Sequence, residues 1–327
     1  DGAVRSCAAF DFVAAWFFLA SKYLKGRTAS SALVATNSLC QGYSAAAFWP
    51  NIIGGDIEIS FAHRDFKWKN NASANAAVNC SIIGLANCSR KHKRLFIDEI
   101  ESKVDCINSY LVNSPLVFVE GASKGKYALP EMVRGNQPTD GGHLILNEEE
   151  KGQLLATNPE LEDSVLKFVG SAEVVNGTHR YCLWLSRQED EDILDIPEVR
   201  RRIEEVRAFR LASSDRYVRE KLAPRSHTFK QTLRAKIHSI LVPCVTSERR
   251  PYLPVDKFGA DVISSNLNMV LYDAPDWCLA LIASRIHLVW IATVCGRLES
   301  RFRYSNTLGW NTFPVPKFSE DQLRSEE

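Results

Sequence analysis

Helical and extended patterns alternate through the first third of the chain. Apolar and β-branched segments separated by turn formers predict three strands, and two apolar segments of helical length lie before and between them. Strands separated by helices favour a largely parallel sheet. The last two strands leave no room for a crossover helix, so we expect an antiparallel hairpin joined by residues 64–76. The predicted elements are helix 8–25, strand 31–37, helix 42–53, strand 56–63 and strand 77–86.

The long apolar run at residues 7–20 is interrupted by Asp11. It is shorter than the roughly 20 residues that a membrane-spanning helix needs. We therefore interpret it as a buried helix and expect no membrane association. One interpretation of Asp11 is that it is a helix-end or surface residue.

The pattern changes near residue 126. Residues 129–146 are rich in turn formers and include Gly141 and Gly142 before an apolar run, which is typical of a domain boundary. The predicted domains are 1–125, 126–259 and 260–327. The elements predicted beyond the boundary are helices 148–157, 160–167, 197–222 and 275–296 and strands 180–185 and 238–245.

Charge is distributed unevenly along the chain. Residues 198–250 hold 14 Lys and Arg against 6 Asp and Glu, a balance of +8, while the remainder holds 26 against 33, a balance of −7, which together give the net charge of +1. A basic middle in an otherwise acidic protein indicates a polyanionic partner. Alternatively, helix 197–211 alternates its charges at spacings that support pairs along a solvated helix.

Cysteine and histidine usage argues against disulfides and metal sites. The chain has nine cysteines, an odd number without Cys-x-x-Cys spacing, which favours reduced thiols in a cytoplasm. His63, His143 and His287 have no companions at metal-ligand spacing. We interpret these histidines as structural and expect no metal.

Seven long motifs are distributed along nearly the whole chain. They are FDFVAAWFFLA, ALVATNSLCQG, IEISFAHRDFKWKNNASANAAVNCSIIG, LPEMVRGNQPTDGGHLIL, RYCLWL, VTSERRPYLP and CGRLESRFRYSNTLGWNTFPVP. These motifs and their order resemble the MmeI-like family. Members of that family are bacterial type IIL restriction-modification proteins that join a DNA adenine methyltransferase domain to a target recognition domain.

The resemblance implies a fold class and a cofactor. We expect the carboxy-terminal part of a class I, Rossmann-like α/β methyltransferase sheet that ends in an antiparallel hairpin. An α+β recognition domain and a helical C-terminal segment that packs with it should follow. The implied cofactor is S-adenosylmethionine, and the implied partners are double-stranded DNA, an upstream methyltransferase half and, in fused members, an upstream nuclease domain.

The family's catalytic motifs do not occur in these residues. Family members carry a glycine-rich S-adenosylmethionine loop and an Asn-Pro-Pro-aromatic motif before the helix that begins here near Phe10, and the sequence contains no Asn-Pro-Pro. We therefore expect no catalytic residue here and interpret the chain as a fragment, inactive alone, of a bacterial cytoplasmic enzyme. By the same resemblance, Asp11 lies in the motif that borders the cofactor pocket.

Phe66 and Trp68 are the candidate residues for holding the target base. Methylation of an adenine amino group requires the base to leave the duplex and stack between aromatic or apolar side chains. In related amino-methyltransferases an aromatic before the last antiparallel strand does this, and the asparagine-rich stretch after Trp68 would cover the pocket. The alternative is that both aromatics pack in the core, since residues two apart on a strand share a face.

Glu248 and Arg250 are the candidate base-reading residues. In an extended segment both side chains would point one way, where a carboxylate can accept from cytosine and a guanidinium can bind guanine. The matching family positions are associated with base choice. Arg249 would point to the other side and contact phosphate. The alternative is a local surface ion pair, which contributes little energy.

A second polar cluster follows the predicted helix 275–296, and its members are expected to contact phosphates, which positions DNA without reading sequence. Alternatively, the cations complement the C-terminal end of that helix. The cluster comprises Arg297, Arg301, Arg303 and Asn306.

Two function classes remain open on the sequence alone. The first is part of a DNA adenine-N6 methyltransferase. The second is a non-catalytic DNA-specificity module, because the ending at residues 311–322 also resembles type I specificity subunits. A glycine-rich loop and an Asn-Pro-Pro-aromatic motif upstream of Asp1 would distinguish the first from the second.

Overall fold

The computed structural model describes residues 10–68, 78–89, 91–127, 129–185 and 191–316. The helices of the described residues are α1 (Val13–Leu24), α2 (Gly42–Phe48), α3 (Glu148–Thr157), α4 (Ser171–Asn176), α5 (Glu191–Leu194), α6 (Pro197–Leu211), α7 (Trp277–Ala283) and α8 (Arg285–Val294). Short 3₁₀ segments cover Asn37–Cys40, Trp49–Asn51, Pro159–Ser164 and Ala223–Arg225, and π-helical turns cover Val218–Leu222 and Asn306–Trp310.

Sixteen strands are formed by the described residues. They are β1 (Ser30–Thr36), β2 (Ile57–Trp68), β3 (Val78–Asn87), β4 (Lys93–Ile97), β5 (Ile100–Val104), β6 (Val133–Arg134), β7 (Ile145–Leu146), β8 (Val165–Val169), β9 (Arg180–Leu183), β10 (His238–Pro243), β11 (Val245–Thr246), β12 (Asp256–Gly259), β13 (Val262–Ser264), β14 (Asn268–Tyr272), β15 (Arg297–Leu298) and β16 (Arg301–Arg303).

The chain forms two compact units that are not consecutive in sequence. The first comprises Asp1–Leu129, Ser247–Arg249 and Val289–Lys317, and the second comprises Pro130–Thr246, Arg250–Leu288 and Phe318–Glu327. These units differ from the three consecutive domains predicted above, because the segment after residue 289 joins the first unit. Hydrogen bonds explain this: the backbone N–H of Ala122 donates to the Thr307 carbonyl at 2.9 Å, and the Asn311 amide donates to the Ala122 carbonyl at 2.8 Å.

A five-stranded sheet in the order β1-β3-β2-β4-β5 is the centre of the first unit. The predicted antiparallel hairpin is confirmed, since β2 and β3 pair antiparallel. The predicted largely parallel sheet is wrong. Although β1 and β2 run in the same direction, β3 lies between them and is antiparallel to both, so that β2 with β4 is the one parallel pair in this sheet.

Helix α1 is buried on one face only. Phe17 and Leu24 are fully buried in the core of the first unit, whereas Trp16 and Tyr23 are 54% and 63% exposed. The interpretation of this segment as a buried helix is therefore correct for half of its surface. The apolar run did not distinguish the two faces because both of them are apolar.

Two four-stranded sheets make up the second unit, in the orders β12-β10-β14-β6 and β13-β8-β9-β7. Three predicted helices differ from the observed elements. Residues 160–167 form a 3₁₀ segment and the start of β8, residues 197–222 are α6 followed by a separate π-helical turn, and residues 275–296 are interrupted at Ser284. Apolar spacing alone does not locate such breaks.

The guanidinium of Arg210, at the end of α6, is fully buried in the second unit. It donates five hydrogen bonds of 2.7–3.0 Å to backbone carbonyls that lie on both sides of it in sequence. Burial lowers the pKa of Arg210 to about 10, so the group stays charged at neutral pH. The acceptors are the carbonyls of Pro138, Thr139, Leu222, Arg225 and Thr228.

No single helix among the described residues is long and apolar enough to cross a membrane, although α7 and α8 reach that length and composition as a bent pair.

Replacing Arg210 tests this buried network. We expect Arg210→Met to lower the free energy of unfolding by about 3–5 kcal/mol, because each buried carbonyl left without a donor costs about 1–3 kcal/mol and some regain water. Arg210→Lys should recover little, since an ammonium cannot reproduce the planar fork. Urea denaturation measures both, and Arg207→Met, at an exposed position of the same helix, is the matched control. A loss no larger than that of the control would contradict the assigned role.

Candidate nucleic-acid interface

The carboxyl ends of β1 and β2 lie at the same end of the sheet in the first unit, on either side of β3. The Asn37 amide, directly after β1, donates to the Asp65 carboxylate in β2 at 3.1 Å. Asp65 has a φ of 47° and lies at a register irregularity between His63 and Phe66. A left-handed aspartate is uncommon in a strand, so the bulge turns its carboxylate toward Asn37.

Asp11 lies at the same end of the sheet. One of its carboxylate oxygens accepts hydrogen bonds from the hydroxyls of Thr36 and Ser38, both at 3.2 Å. The side chain is exposed. Two hydroxyls therefore connect Asp11 to the end of β1. A residue that only ends a helix does not need these contacts. The role of Asp11 at a cofactor pocket stays a prediction.

A polar cavity of about 400 Å³ opens on one face of the β2–β3 hairpin, near this end of the sheet. All of its lining residues belong to the first unit, and they include four carboxylates against three cations. Such a surface can offer both donors and acceptors to a polar ligand. The lining residues are Asn37, Arg64, Asp65, Lys67, Asn79, Ile97, Asp98, Glu248, Arg297, Glu299, Ser300 and Phe302.

Phe66 and Trp68 lie on the opposite face of the hairpin from this cavity. Lys67 and Asn79 are cross-strand partners and both line the cavity, whereas Phe66 and Trp68 alternate with Lys67 along β2. The two rings contact each other with centroids 6.3 Å apart. Trp68 is 49% exposed, which excludes the alternative that both aromatics pack in the core. The asparagine-rich stretch that was predicted to cover them, residues 69–77, lies outside the described residues.

Glu248 lies in the cavity, but its segment is a turn. Residues 248 and 249 form the turn after β11, so the prediction of an extended segment with Glu248 and Arg250 on one side is wrong. Hydrogen bonds bend the chain here, since the backbone N–H of Arg249 donates to the Ser247 hydroxyl at 3.2 Å. Arg249 and Arg250 are exposed. Base reading by Glu248 and Arg250 stays a prediction.

Hydrogen bonds hold the charge on Glu248. Its own backbone N–H, the Ser300 hydroxyl and the nearby cations Arg249 and Arg297 lower the pKa of this carboxyl below its usual value. Burial lowers the pKa of Arg297, while Asp65 and Glu248 oppose that shift. The turn and the carboxyl end of β2 are therefore electrostatically coupled across the cavity.

The β15–β16 hairpin supplies the rest of the predicted phosphate cluster. Arg297 stacks over Phe302 at 5.0 Å from its ring centroid and donates to the Ser300 carbonyl at 3.3 Å. Arg301 and Arg303 are exposed, and Arg301 pairs with Glu299 at 3.0 Å. Asn306 begins the π-helical turn, where its side-chain oxygen accepts from the Thr307 backbone N–H. The hairpin brings Arg297 to the cavity, and the other three roles stay predictions.

Many cations of the basic stretch are engaged within the second unit. Arg201 pairs with Glu198 at 2.7 Å and with Glu205 at 2.6 Å, and Arg202 pairs with Glu198 at 2.9 Å. These pairs fit the solvated-helix interpretation of α6. Glu198 and Glu205 are among the six acids already subtracted in the balance of +8, so these pairs do not reduce that balance further. Arg210 is fully buried, and its charge is therefore not available to a polyanion.

The three histidines have structural contacts. His63 stacks on Phe96 with centroids 4.3 Å apart, and His143 lies 3.0 Å from a carboxylate oxygen of Glu205. Burial lowers the pKa of His287 to about 3, which keeps it neutral. Within the described residues no group of three potential metal ligands comes together.

Comparison with known proteins accounts for both units. The family model described as "MmeI, DNA-methyltransferase domain" matches residues 1–97, and "MmeI, target recognition domain" matches residues 113–317. This chain belongs to the MmeI family. The family assignment confirms the predicted resemblance, the mixed α/β fold class and the combination of a methyltransferase part with a target recognition domain.

Two known proteins are similar along almost the whole chain. DNA methyltransferase A of Bacillus subtilis (strain 168) is 39% identical over 319 residues, which cover 97% of this chain and 36% of that protein. The structure of the type IIL restriction-modification enzyme MmeI in complex with DNA has a TM-score of 0.88 at 35% identity, covering 99% of this chain and 44% of that chain. The chain thus spans less than half of either relative.

Sequence reasoning missed several residues of the cavity. Asn37 and Asp65 could have been found, because ligands in open α/β sheets bind beyond the carboxyl ends of strands and Asn37 directly follows one. Arg64 and Asp98 carried no comparable signal, since their approach depends on the pairing of β2 with β4. Glu299 lies in the turn between β15 and β16, which no sequence pattern places beside β2.

Proposed function

We propose that the chain is part of a bacterial DNA adenine-N6 methyltransferase of a restriction-modification system. It would help to transfer methyl from S-adenosylmethionine to an adenine that has left the duplex at a specific DNA sequence. The observation that carries the proposal is the cavity, in which Glu248 and Arg297 of the matched recognition region meet Asn37 and Asp65 at the carboxyl ends of the methyltransferase strands. DNA reading would then occur beside the strands of the methyltransferase part.

The remaining methyltransferase half is proposed to cover one side of the first unit. β1 is at the edge of its sheet, and exposed apolar edges are normally covered by another element. Beside it, α1 exposes an apolar stripe at helical spacing: Phe12 is 81% exposed, Trp16 54%, Leu19 55% and Tyr23 63%. An apolar stripe of this kind marks an interaction surface. A segment that supplies the cofactor loop and the catalytic motif fits both features.

Within this function, each predicted site residue has a specific role. Phe66 or Trp68 would stack on the extruded adenine, since Trp68 presents an exposed ring at the end of β2. Glu248 and Arg250 would read one C·G pair. The remaining members would contact phosphates, and Asp11 would border the cofactor pocket. The phosphate-contacting set is Arg249, Arg297, Arg301, Arg303 and Asn306.

The second candidate function is a DNA-specificity module without catalysis. The absence of Asn-Pro-Pro from these residues motivates it. The two functions differ in what the α1 stripe contacts: a catalytic methyltransferase half in the first and a separate catalytic subunit in the second.

The chain by itself should not methylate DNA. Positioning of donor and acceptor supplies much of the rate in group transfer, and these residues do not contain the family's catalytic motif. Radiolabelled transfer from S-adenosylmethionine to unmethylated DNA measures the activity, with the Bacillus relative as positive control. Transfer that requires the chain and disappears in a Phe66→Ala, Trp68→Ala variant would contradict this expectation.

DNA binding should weaken steeply as salt concentration rises. Each neutralised phosphate releases counterions, so the logarithm of the binding constant falls by about 0.9 per contact for each tenfold rise in salt. Replacing exposed Arg303 with alanine should reduce this slope by about one. Arg201→Ala, which removes a cation already paired with Glu198 and Glu205, is the matched control and should leave the slope almost unchanged. Binding that does not depend on salt would argue against the proposed interface.

A charge swap at the reading positions should change the recognised sequence. In the full-length protein, the double variant Glu248→Lys, Arg250→Asp reverses the hydrogen-bonding groups. Lysine presents a donor where cytosine was read, and aspartate presents an acceptor where guanine was read. The preferred pair should reverse from C·G to G·C at one position, because each bidentate contact is worth about 1–3 kcal/mol of discrimination. Sequencing of methylated DNA measures the motif.

Arg249→Ala is the control for that swap. Arg249 lies between the two positions and is exposed, so its loss should weaken binding to all sequences alike. An unchanged motif after the double swap, or a changed motif after Arg249→Ala alone, would show that the roles are assigned to the wrong residues.

A further inference from the structure

The β4–β5 hairpin beside the cavity has a strained two-residue turn. Asp98 and Glu99 have φ values of 49° and 65°, and positive φ at both central residues is what a type I′ hairpin turn requires. Asparagine and glycine usually occupy these positions because most residues with a side chain are disfavoured in the left-handed region. The hairpin therefore needs other contacts to hold its turn.

Contacts along the hairpin supply this support. The Arg94 guanidinium makes two hydrogen bonds to Glu101, of 2.7 and 3.0 Å, and it also lies over Phe96, 5.1 Å from the ring centroid. Phe96 in turn stacks on His63 of β2 with an interplanar angle of 5°. The turn is thus presented by a hairpin that is attached to the central sheet through β4.

An apolar pair flanks the turn and faces outward. Ile97 and Ile100 are direct cross-strand partners, and they are 41% and 70% exposed. Ile97 also lines the cavity together with Arg64, its partner in β2. Two β-branched apolar side chains at a supported tip, next to a polar cavity, have no evident role in the stability of the first unit.

We propose that Ile97 and Ile100 form a wedge that enters the DNA beside the target adenine. The inference rests on the proposed function, which requires an adenine to leave the duplex, and it assigns the residues that fill the space left behind. Apolar side chains inserted between base steps are a known way to replace lost stacking. Phe66 and Trp68 lie on the other face of β2, so one face would hold the base and the other would fill the gap.

The charges around the hairpin favour insertion of the two isoleucines into a DNA groove over contact with the DNA backbone. The carboxylates of Asp98 and Glu99 at the turn repel phosphates, whereas base edges offer amino donors that carboxylates can accept. Arg64 and Lys67 also line the cavity, and Arg64 lies 3.6 Å from Asp65. Because the cavity has four carboxylates against three cations, the choice of DNA as the occupant rests on the recognition region that lines the same cavity and not on net charge.

The test compares two duplexes in the full-length protein. One duplex carries the recognised motif intact, and the other lacks the target base, so that nothing has to be unstacked. We expect Ile97→Ala, Ile100→Ala to lose at least tenfold in affinity for the intact duplex and less than twofold for the abasic duplex. The rise in fluorescence of 2-aminopurine at the target position should fall in parallel.

Two control variants separate the wedge from general effects. Val117→Ala removes an apolar side chain that is 50% exposed in the same unit, and it should change neither affinity. Ile97→Leu, Ile100→Leu keeps the tip apolar and should retain base extrusion. Both isoleucines are exposed, so the alanine variant should keep the thermal unfolding midpoint of the wild type.

Each result decides one of the two hypotheses. An equal loss on both duplexes, or no loss on either, would overturn the wedge and leave the proposed DNA function intact. Failure of the wild-type protein to bind either duplex at low salt would overturn the proposed function and the wedge with it.

Discussion

The position of β3 between β1 and β2 is the constraint on which the first unit depends. Because β3 is antiparallel to both neighbours, the two flanking strands run in the same direction and end at the same edge. That placement is what brings Asn37 within hydrogen-bonding distance of Asp65. It also puts the carboxyl end of β2 next to β4, and so positions the hairpin that lines the cavity.

The second unit contains a buried cation beside its two sheets. Five carbonyls converge on Arg210, and they come from segments that otherwise share little regular structure. Burying a guanidinium is costly unless its donors are satisfied, so this arrangement couples the end of α6 to the loops around it. One of the cations that makes the sequence look basic is therefore part of the core.

The cavity combines residues that the chain supplies from six separate segments. The end of β1, strands β2 and β3, the β4–β5 turn, the turn at Glu248 and the β15–β16 hairpin all contribute to it. Carboxylates and cations both line its walls, and the backbone N–H of Glu248, the Ser300 side chain, Arg249 and Arg297 hold the pKa of Glu248 below its usual value. Such a surface suits a ligand with mixed donors and acceptors, as nucleic-acid bases are, better than a uniformly charged one.

The sequence by itself determined the family, the fold class and the antiparallel hairpin, because ordered motifs and the short connection between β2 and β3 are local properties. It also identified Glu248 and Arg297 as residues of interest. Only the tertiary structure decided which faces and partners these residues have. Strand insertion and the burial of Arg210 arise from contacts between segments distant in sequence. Neither periodicity nor charge counting records those contacts, and for that reason Ile97, Asp98 and the exposed face of α1 were found in the structure and not in the sequence.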